Sequence, residues 1–181
     1  GLRPEDVAGA YLYKTCDHGK TFTRLGFADV ANRSFDEHMV YEREDGSLRM
    51  LVRLEKGQEK GIAESISRDG GLTWSEDVPV YEGPSSRFFI QKLPSGRVLF
   101  INHHDFTGRN NLTAFLSEDD GKTFPYRLLL DERKSVSYPD AQLCADGFIR
   151  ITYDHLRGCF KSSLEEVYSY PREILIARIT E

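Results

Sequence analysis

Three octapeptides in this 181-residue chain share one pattern: TCDHGKTF at 15–22, SRDGGLTW at 67–74 and SEDDGKTF at 117–124. Each opens on Ser or Thr and continues with Asp at the third position, Gly at the fifth, Thr at the seventh and Trp or Phe at the eighth. Their aspartates, Asp17, Asp69 and Asp119, are 52 and 50 residues apart. One such match would be weak, but three in near-constant register are a repeat. A repeat of this length must bury its apolar surface against its neighbours, which limits the chain to stacked or radial architectures.

A second marker follows every octapeptide. Gly46, Gly96 and Gly147 close the turns EDG, PSG and ADG, 27 to 29 residues beyond the aspartates. They lie between short runs rich in Val, Ile, Phe and Tyr, such as HMVYER and SLRMLVR, which read as hairpins joined by tight turns with positive φ. The octapeptides also sit between strand-like runs, GIAESIS before and VPVYEG after the second. Each unit is therefore two hairpins, or four strands, the content of one propeller blade. Helical periodicity is confined to SSLEEVYSY at 162–170, which reads as a helical turn or two or as a long loop. The chain closes on the strand REILIARIT.

The octapeptide reads as a turn lock. Its Asp carboxylate accepts hydrogen bonds from backbone N–H groups of its own turn. Gly19, Gly71 and Gly121 take a φ that side chains resist. The Thr hydroxyl ties the returning strand, and the aromatic ring, Trp74 in the second copy, packs between sheets. A calcium loop is the poorer reading, because no copy has the spaced oxygen ligands of an EF-hand. No metal and no cofactor are expected.

An apolar share of 39% fits a folded chain, and a net charge of −5 argues against a nucleic-acid partner, which demands a basic face. No apolar run approaches the roughly 20 residues of a membrane span. Cys16, Cys144 and Cys159 make neither an even disulfide framework nor a metal spacing, and leave cytoplasmic and secreted locations equally open. NRS at 32–34 and NLT at 111–113 match glycosylation sequons, patterns short enough to arise by chance.

Aligning the units on their turn glycines locates a candidate site. Nine residues before each glycine stand Glu37, Arg87 and Tyr138, and seven after stand Arg53, His103 and Asp154. An out-and-back hairpin puts both positions on one rim. Arg109 opens the third strand from that rim, and the octapeptides fall on the other. Equivalent positions that hold a carboxylate, a guanidinium and a phenol argue for a shared site rather than a repeated structural role. His104 and Asp105 fall in the connecting loop, where solvation suffices to explain them.

The octapeptides resemble the Asp-boxes of sialidases and other BNR-repeat proteins, and DEHMVYEREDGSLRMLVR, GRNNLTAFLSEDDGKTF and SVSYPDAQL follow the order of a sialidase catalytic domain's last half. The resemblance covers essentially the whole chain. It implies an all-β, six-bladed β-propeller of sialidase type, with this chain supplying about three four-stranded blades. It also implies that N-terminal blades are missing, so that an N-terminal half or a second chain completes the ring.

The same resemblance assigns roles. SYPDAQL matches the segment of the tyrosine nucleophile, here Tyr138. DEHMVYE matches that of its glutamate partner, here Glu37, and GRNNLTAFLS that of one arginine of the carboxylate-binding triad, here Arg109. The chemistry fits: sialic acid carries a carboxylate at its anomeric carbon, which repels an anionic nucleophile but not a phenol. A free phenol titrates at about 10, so it needs a base. Arginine offers a planar, bidentate fork to the carboxylate.

The pattern departs from the family at Gly61, preceded by Lys60, where a second triad arginine is expected. Lys60, Arg53 or Arg87 are the possible substitutes. The first triad arginine and the acid/base aspartate belong to blades before residue 1, so this stretch alone is not expected to be active. The reading is a sialidase-like glycoside hydrolase with a carbohydrate substrate. Its rivals are a non-catalytic Asp-box propeller that binds glycans or proteins, and a glycosidase of different sugar specificity on the same scaffold.

Overall fold

The protein is described by a computed structural model that covers residues 9–55, 57, 60–157 and 172–181, with only the backbone at 35 and 36. The segment SSLEEVYSY and Cys159 lie outside the described residues. Thirteen strands are formed, and no helix occurs among the described residues. Two compact units divide the chain, Gly1–Ser85 and Ser86–Glu181.

In the first unit, β1 (Ala10–Lys14) and β2 (Thr23–Ala28) form a two-stranded antiparallel sheet around the first octapeptide. A four-stranded meander follows: β3 (Arg33–Glu42), β4 (Leu48–Leu54), β5 (Ile62–Ser67) and β6 (Val78–Tyr81). In the second unit, β7 (Phe89–Lys92), β8 (Val98–His103), β9 (Leu112–Ser117) and β10 (Tyr126–Asp131) repeat that meander. The chain then adds a three-stranded sheet of β11 (Val136–Leu143), β12 (Ile149–His155) and β13 (Glu173–Ile179). Strand for strand this is all-β architecture with about three blades' worth of four-stranded antiparallel sheet.

The same turn closes the first hairpin of each of the three larger sheets. Arg43 N–H donates to Ser47 O, Leu93 N–H to Arg97 O and Cys144 N–H to Phe148 O, at 2.8 to 2.9 Å. The glycine takes φ of 77°, 90° and 80° at positions 46, 96 and 147, the left-handed region where a Cβ is penalised.

Burial grades across the meanders. The second strands, β4 and β8, are buried almost throughout, and their sequences LRMLVRL and VLFINH are correspondingly near-continuous in apolar residues. The outer strand β10 is exposed over most of its length. In the first unit Ala10, Ala28, Val30, Met50, Val52, Leu54 and Ala63 form one core, with Leu12, Val40 and Trp74 packed against it.

All three octapeptides adopt the same lock. Asp69 accepts from the Ser67 hydroxyl (2.8 Å), from the Leu72 and Thr73 N–H groups (3.0 and 2.9 Å) and from the Thr73 hydroxyl (2.5 Å). Asp17 and Asp119 repeat the set with Thr15 and Thr21, and with Ser117 and Thr123. The Thr hydroxyl thus donates to the box carboxylate itself rather than to the returning strand, because positions three and seven meet across the turn.

These bonds favour the ionised carboxylate and lower the pKa of Asp17 and Asp69 to about 2, and that of Asp119 further still. A depressed folded-state pKa stabilises the fold above the ordinary aspartate range and is lost as pH falls toward 2. Asp69→Asn is therefore expected to lower the thermal midpoint at pH 7 and to have little effect at pH 2, as read by circular dichroism.

The second box also joins two sheets. Gly26 N–H of β2 donates to Gly71 O (2.8 Å), and a Cβ at Gly26 would lie 2.1 Å from Leu72 O.

Candidate functional site

Sheet by sheet, the candidate residues gather at the end opposite the octapeptide. Arg53 pairs with Ile62 at one end of β4–β5, whereas Leu48 pairs with Ser67, the first box residue, at the other. His103 pairs with Leu112 at one end of β8–β9, and Val98 with Ser117 at the other. Ser137 pairs with Asp154 near the start of β11.

In the first unit, Glu37 lies in a wide break of register: Arg33 opposes Leu54 and His38 opposes Val52, so four residues of β3 face Arg53 alone. Such bulges re-aim side chains. Glu37 accepts from Arg53 Nη1. Arg53 is 3% exposed, and it also donates from Nη2 to Ser85 O (3.0 Å) and Oγ (3.1 Å). A guanidinium held on both sides fixes the carboxylate in turn.

Gly61 cannot carry the arginine that the resemblance implies. A Cβ there would sit 2.3 Å from Gly83 O, and its backbone is committed to Tyr81 and Leu54 on either side. Arg53, on the neighbouring strand opposite Ile62, is a guanidinium at this end of the sheet. Gly61→Ala is expected to cost about 1–3 kcal/mol by forcing backbone apart, measured by denaturant titration.

In the second unit, β11 carries a bulge of its own. Ser137 opposes Asp154 and Asp140 opposes Thr152, so Tyr138 and Pro139 together face Tyr153. Tyr138 has φ of 55°, not the extended conformation that a residue before proline favours. For a bulky side chain this costs on the order of 1–3 kcal/mol and persists only where surrounding contacts enforce it.

Those contacts are visible. The Arg109 guanidinium carbon lies 5.5 Å from the Tyr138 ring centroid and that of Arg157 4.0 Å. Val136 N–H donates to Arg109 O (3.1 Å), tying the β8–β9 loop to the start of β11, and Leu156 N–H donates to Ser135 O (2.9 Å). Beside them opens a pocket of about 430 Å³, within the size range of small-molecule sites. Arg109, Lys134 and Arg157 line it with Thr107, Asn110 and Ser135, and among the described residues no carboxylate lines it. The arrangement attracts an anion.

The remaining candidates are engaged locally. Asp154 accepts from the Ser137 hydroxyl (2.6 Å) and pairs with Arg157 (3.5 Å). Arg87 donates to Asp140 (3.3 Å). His103 is 3% exposed, and its Nδ1 lies 2.8 Å from Asn110 O, an acceptor only, so Nδ1 carries the proton. His103 Nε2 is buried without a hydrogen-bond partner among the described residues. Burial first, then Arg109 nearby, lowers the pKa of His103 to about 4. His104 meets Arg127 and Asp105.

Sequence reasoning missed Lys134 and Arg157. Both lie past the strand ends that the turn glycines align, and the only local sign of Arg157 is its three-residue spacing from Asp154.

Among the described residues no group of three or more His, Cys, Asp or Glu could hold a metal. No helix among them is long and apolar enough to cross a membrane.

Antiparallel meanders punctuated by boxes at one end, with bulged, charged strand ends at the other, define a repeat protein of propeller-blade type. A family model described as the BNR repeat-like domain matches residues 4–151, and the chain belongs to that family.

Solved structures agree on the fold. A Hadza microbial sialidase is 30% identical, with 77% of this chain and 28% of that one covered and a TM-score of 0.62. The intramolecular trans-sialidase of Ruminococcus gnavus, solved with oseltamivir carboxylate, is 25% identical over 78% of this chain and 32% of its own, with a TM-score of 0.58. An α-L-arabinofuranosidase from Fusarium graminearum is 18% identical over 90% of this chain and 51% of its own, with a TM-score of 0.57, and shares the fold. The chain thus spans about half or less of each of these structures. No curated protein matches it significantly. Its relation to the sialidase superfamily is established at the level of scaffold and glycosidase-type neighbours.

Proposed function

We propose that this chain carries the nucleophile side of a sialidase-type glycoside hydrolase site, acting on a terminal sugar that bears a carboxylate. The observation that carries the reading is Tyr138, held in a left-handed bulge under two guanidinium groups beside a pocket lined by three cations and, among the described residues, no acid. A neutral furanoside gives such a pocket nothing to neutralise, whereas a carboxylate does.

In this reading the Tyr138 oxygen bonds to the anomeric carbon as the bond to the aglycone oxygen breaks, and the phenolic proton passes to a base, the role that the resemblance gives Glu37. The aglycone oxygen takes a proton from a general acid. Water then displaces tyrosine, giving its own proton to the group that protonated the aglycone, and the tyrosine oxygen recovers its proton from the base that took it. Arg109 binds the sugar carboxylate. Arg53 fixes the Glu37 carboxylate by holding it from the neighbouring strand.

The test is to assay the complete protein on a fluorogenic sialoside beside a panel of neutral pyranosides and furanosides. Selective turnover of the sialoside supports the reading. Turnover of a neutral glycoside alone moves the scaffold to another specificity, and glycan binding without turnover marks a binding module.

A further inference from the structure

We propose that Arg157 is a positioning residue for Tyr138, a role that rests on the reading above. Tyr138 is strained, half-buried and followed by a proline, so something must hold its ring in place. Among the described residues Arg157 lies nearer to that ring than Arg109 does, 4.0 Å from the centroid against 5.5 Å. At 4.0 Å over the ring a guanidinium is attracted by the ring quadrupole, which ties it to the aromatic face.

Arg157 is itself anchored. Its Nη1 pairs with Asp154 at 3.5 Å, and Asp154 accepts from the Ser137 hydroxyl at 2.6 Å. Ser137 adjoins Tyr138 in the chain and opposes Asp154 across the sheet. The four residues close a ring: Ser137 to Asp154, Asp154 to Arg157, Arg157 onto the Tyr138 face, and back through the peptide bond. The ring of contacts also gives Asp154 a role, as the anchor of Arg157 rather than a direct contact to sugar.

The experiment compares Arg157→Ala, Arg157→Lys, Asp154→Asn and Tyr138→Phe in the complete protein. One readout is kcat and KM on the fluorogenic sialoside. The other is the 19F resonance of Tyr138 in fluorotyrosine-labelled protein, identified by its loss in Tyr138→Phe. Misplacing a reacting group by about 1 Å costs on the order of 100-fold. Arg157→Ala is therefore expected to lower kcat roughly 10- to 100-fold, to raise KM as well because one cation leaves the pocket, and to shift and broaden the resonance. Lysine lacks the planar face and is expected not to restore either. Asp154→Asn combined with Arg157→Ala is expected to lose no more than Arg157→Ala alone, as members of one unit do.

Arg157→Ala with kcat within twofold of wild type, a change confined to KM, or an unmoved resonance overturns the proposal. Wild-type turnover by Tyr138→Phe overturns the nucleophile assignment instead, while the resonance still reports whether Arg157 holds the ring. If no glycoside is turned over, the resonance alone decides.

Discussion

Tyr138→Phe is expected to lower kcat on a sialoside by on the order of 10³-fold or more while leaving KM and the thermal midpoint close to wild type. The size follows from what the phenol oxygen does: it forms the bond to the anomeric carbon, and loss of a nucleophile leaves only positioning and electrostatic stabilisation. The small effect on stability follows from the geometry. The ring contacts to Arg109 and Arg157 involve the aromatic face, which phenylalanine keeps. The bulge at Ser137/Asp140 is a backbone feature, and phenylalanine adopts left-handed φ no worse than tyrosine. Steady-state kinetics with a differential scan settle it: substantial turnover by a folded variant removes Tyr138 from the chemistry.

Acidification is expected to cost about 3 kcal/mol of stability through His103 alone. Its folded-state pKa is lowered from 6.5 to about 4, chiefly because the imidazole is buried. Below about 6.5 the unfolded chain binds a proton at this residue and the folded one does not, so stability falls from pH 6.5 to 4 and is level above. A drop of about 2.5 units at 1.36 kcal/mol each gives the figure. His103→Gln is expected to flatten that slope of the denaturation midpoint between pH 6.5 and 4. An unchanged slope would mean that His103 is solvated or paired.

Much of the fold is legible along the chain because its signals are local. Gly46, Gly96 and Gly147 each close a turn whose hydrogen bonds span four residues, so the sequence alone places the hairpins. The box aspartates bind groups no more than four positions away, and their lock could be reasoned out, apart from the Thr hydroxyl's choice of partner. The candidate rim is legible for the same reason: counting from a turn is enough to find both strand ends.

What counting misses is where strands slip. Glu37 and Tyr138 share a position relative to their turn glycines, yet each sits in a bulge of different size, four residues against one in β3 and two against one in β11. Gly61 holds the place where the family pattern expects an arginine, and only the 2.3 Å approach of Gly83 O explains why no side chain can stand there.

By itself, then, the sequence determined the repeat, the strand and turn order, the box chemistry and the end of each sheet that carries polar residues. All of these depend on neighbours within a few positions or on a fixed period. Only the tertiary structure decided the left-handed Tyr138, the buried His103, the Glu37–Arg53 pair and the place of Arg157 on the tyrosine ring. Each of those depends on residues 7 to 29 positions apart being brought together, Asn110 to His103 at the near end and Arg109 to Tyr138 at the far one. No local preference encodes such meetings; strand register and burial set them.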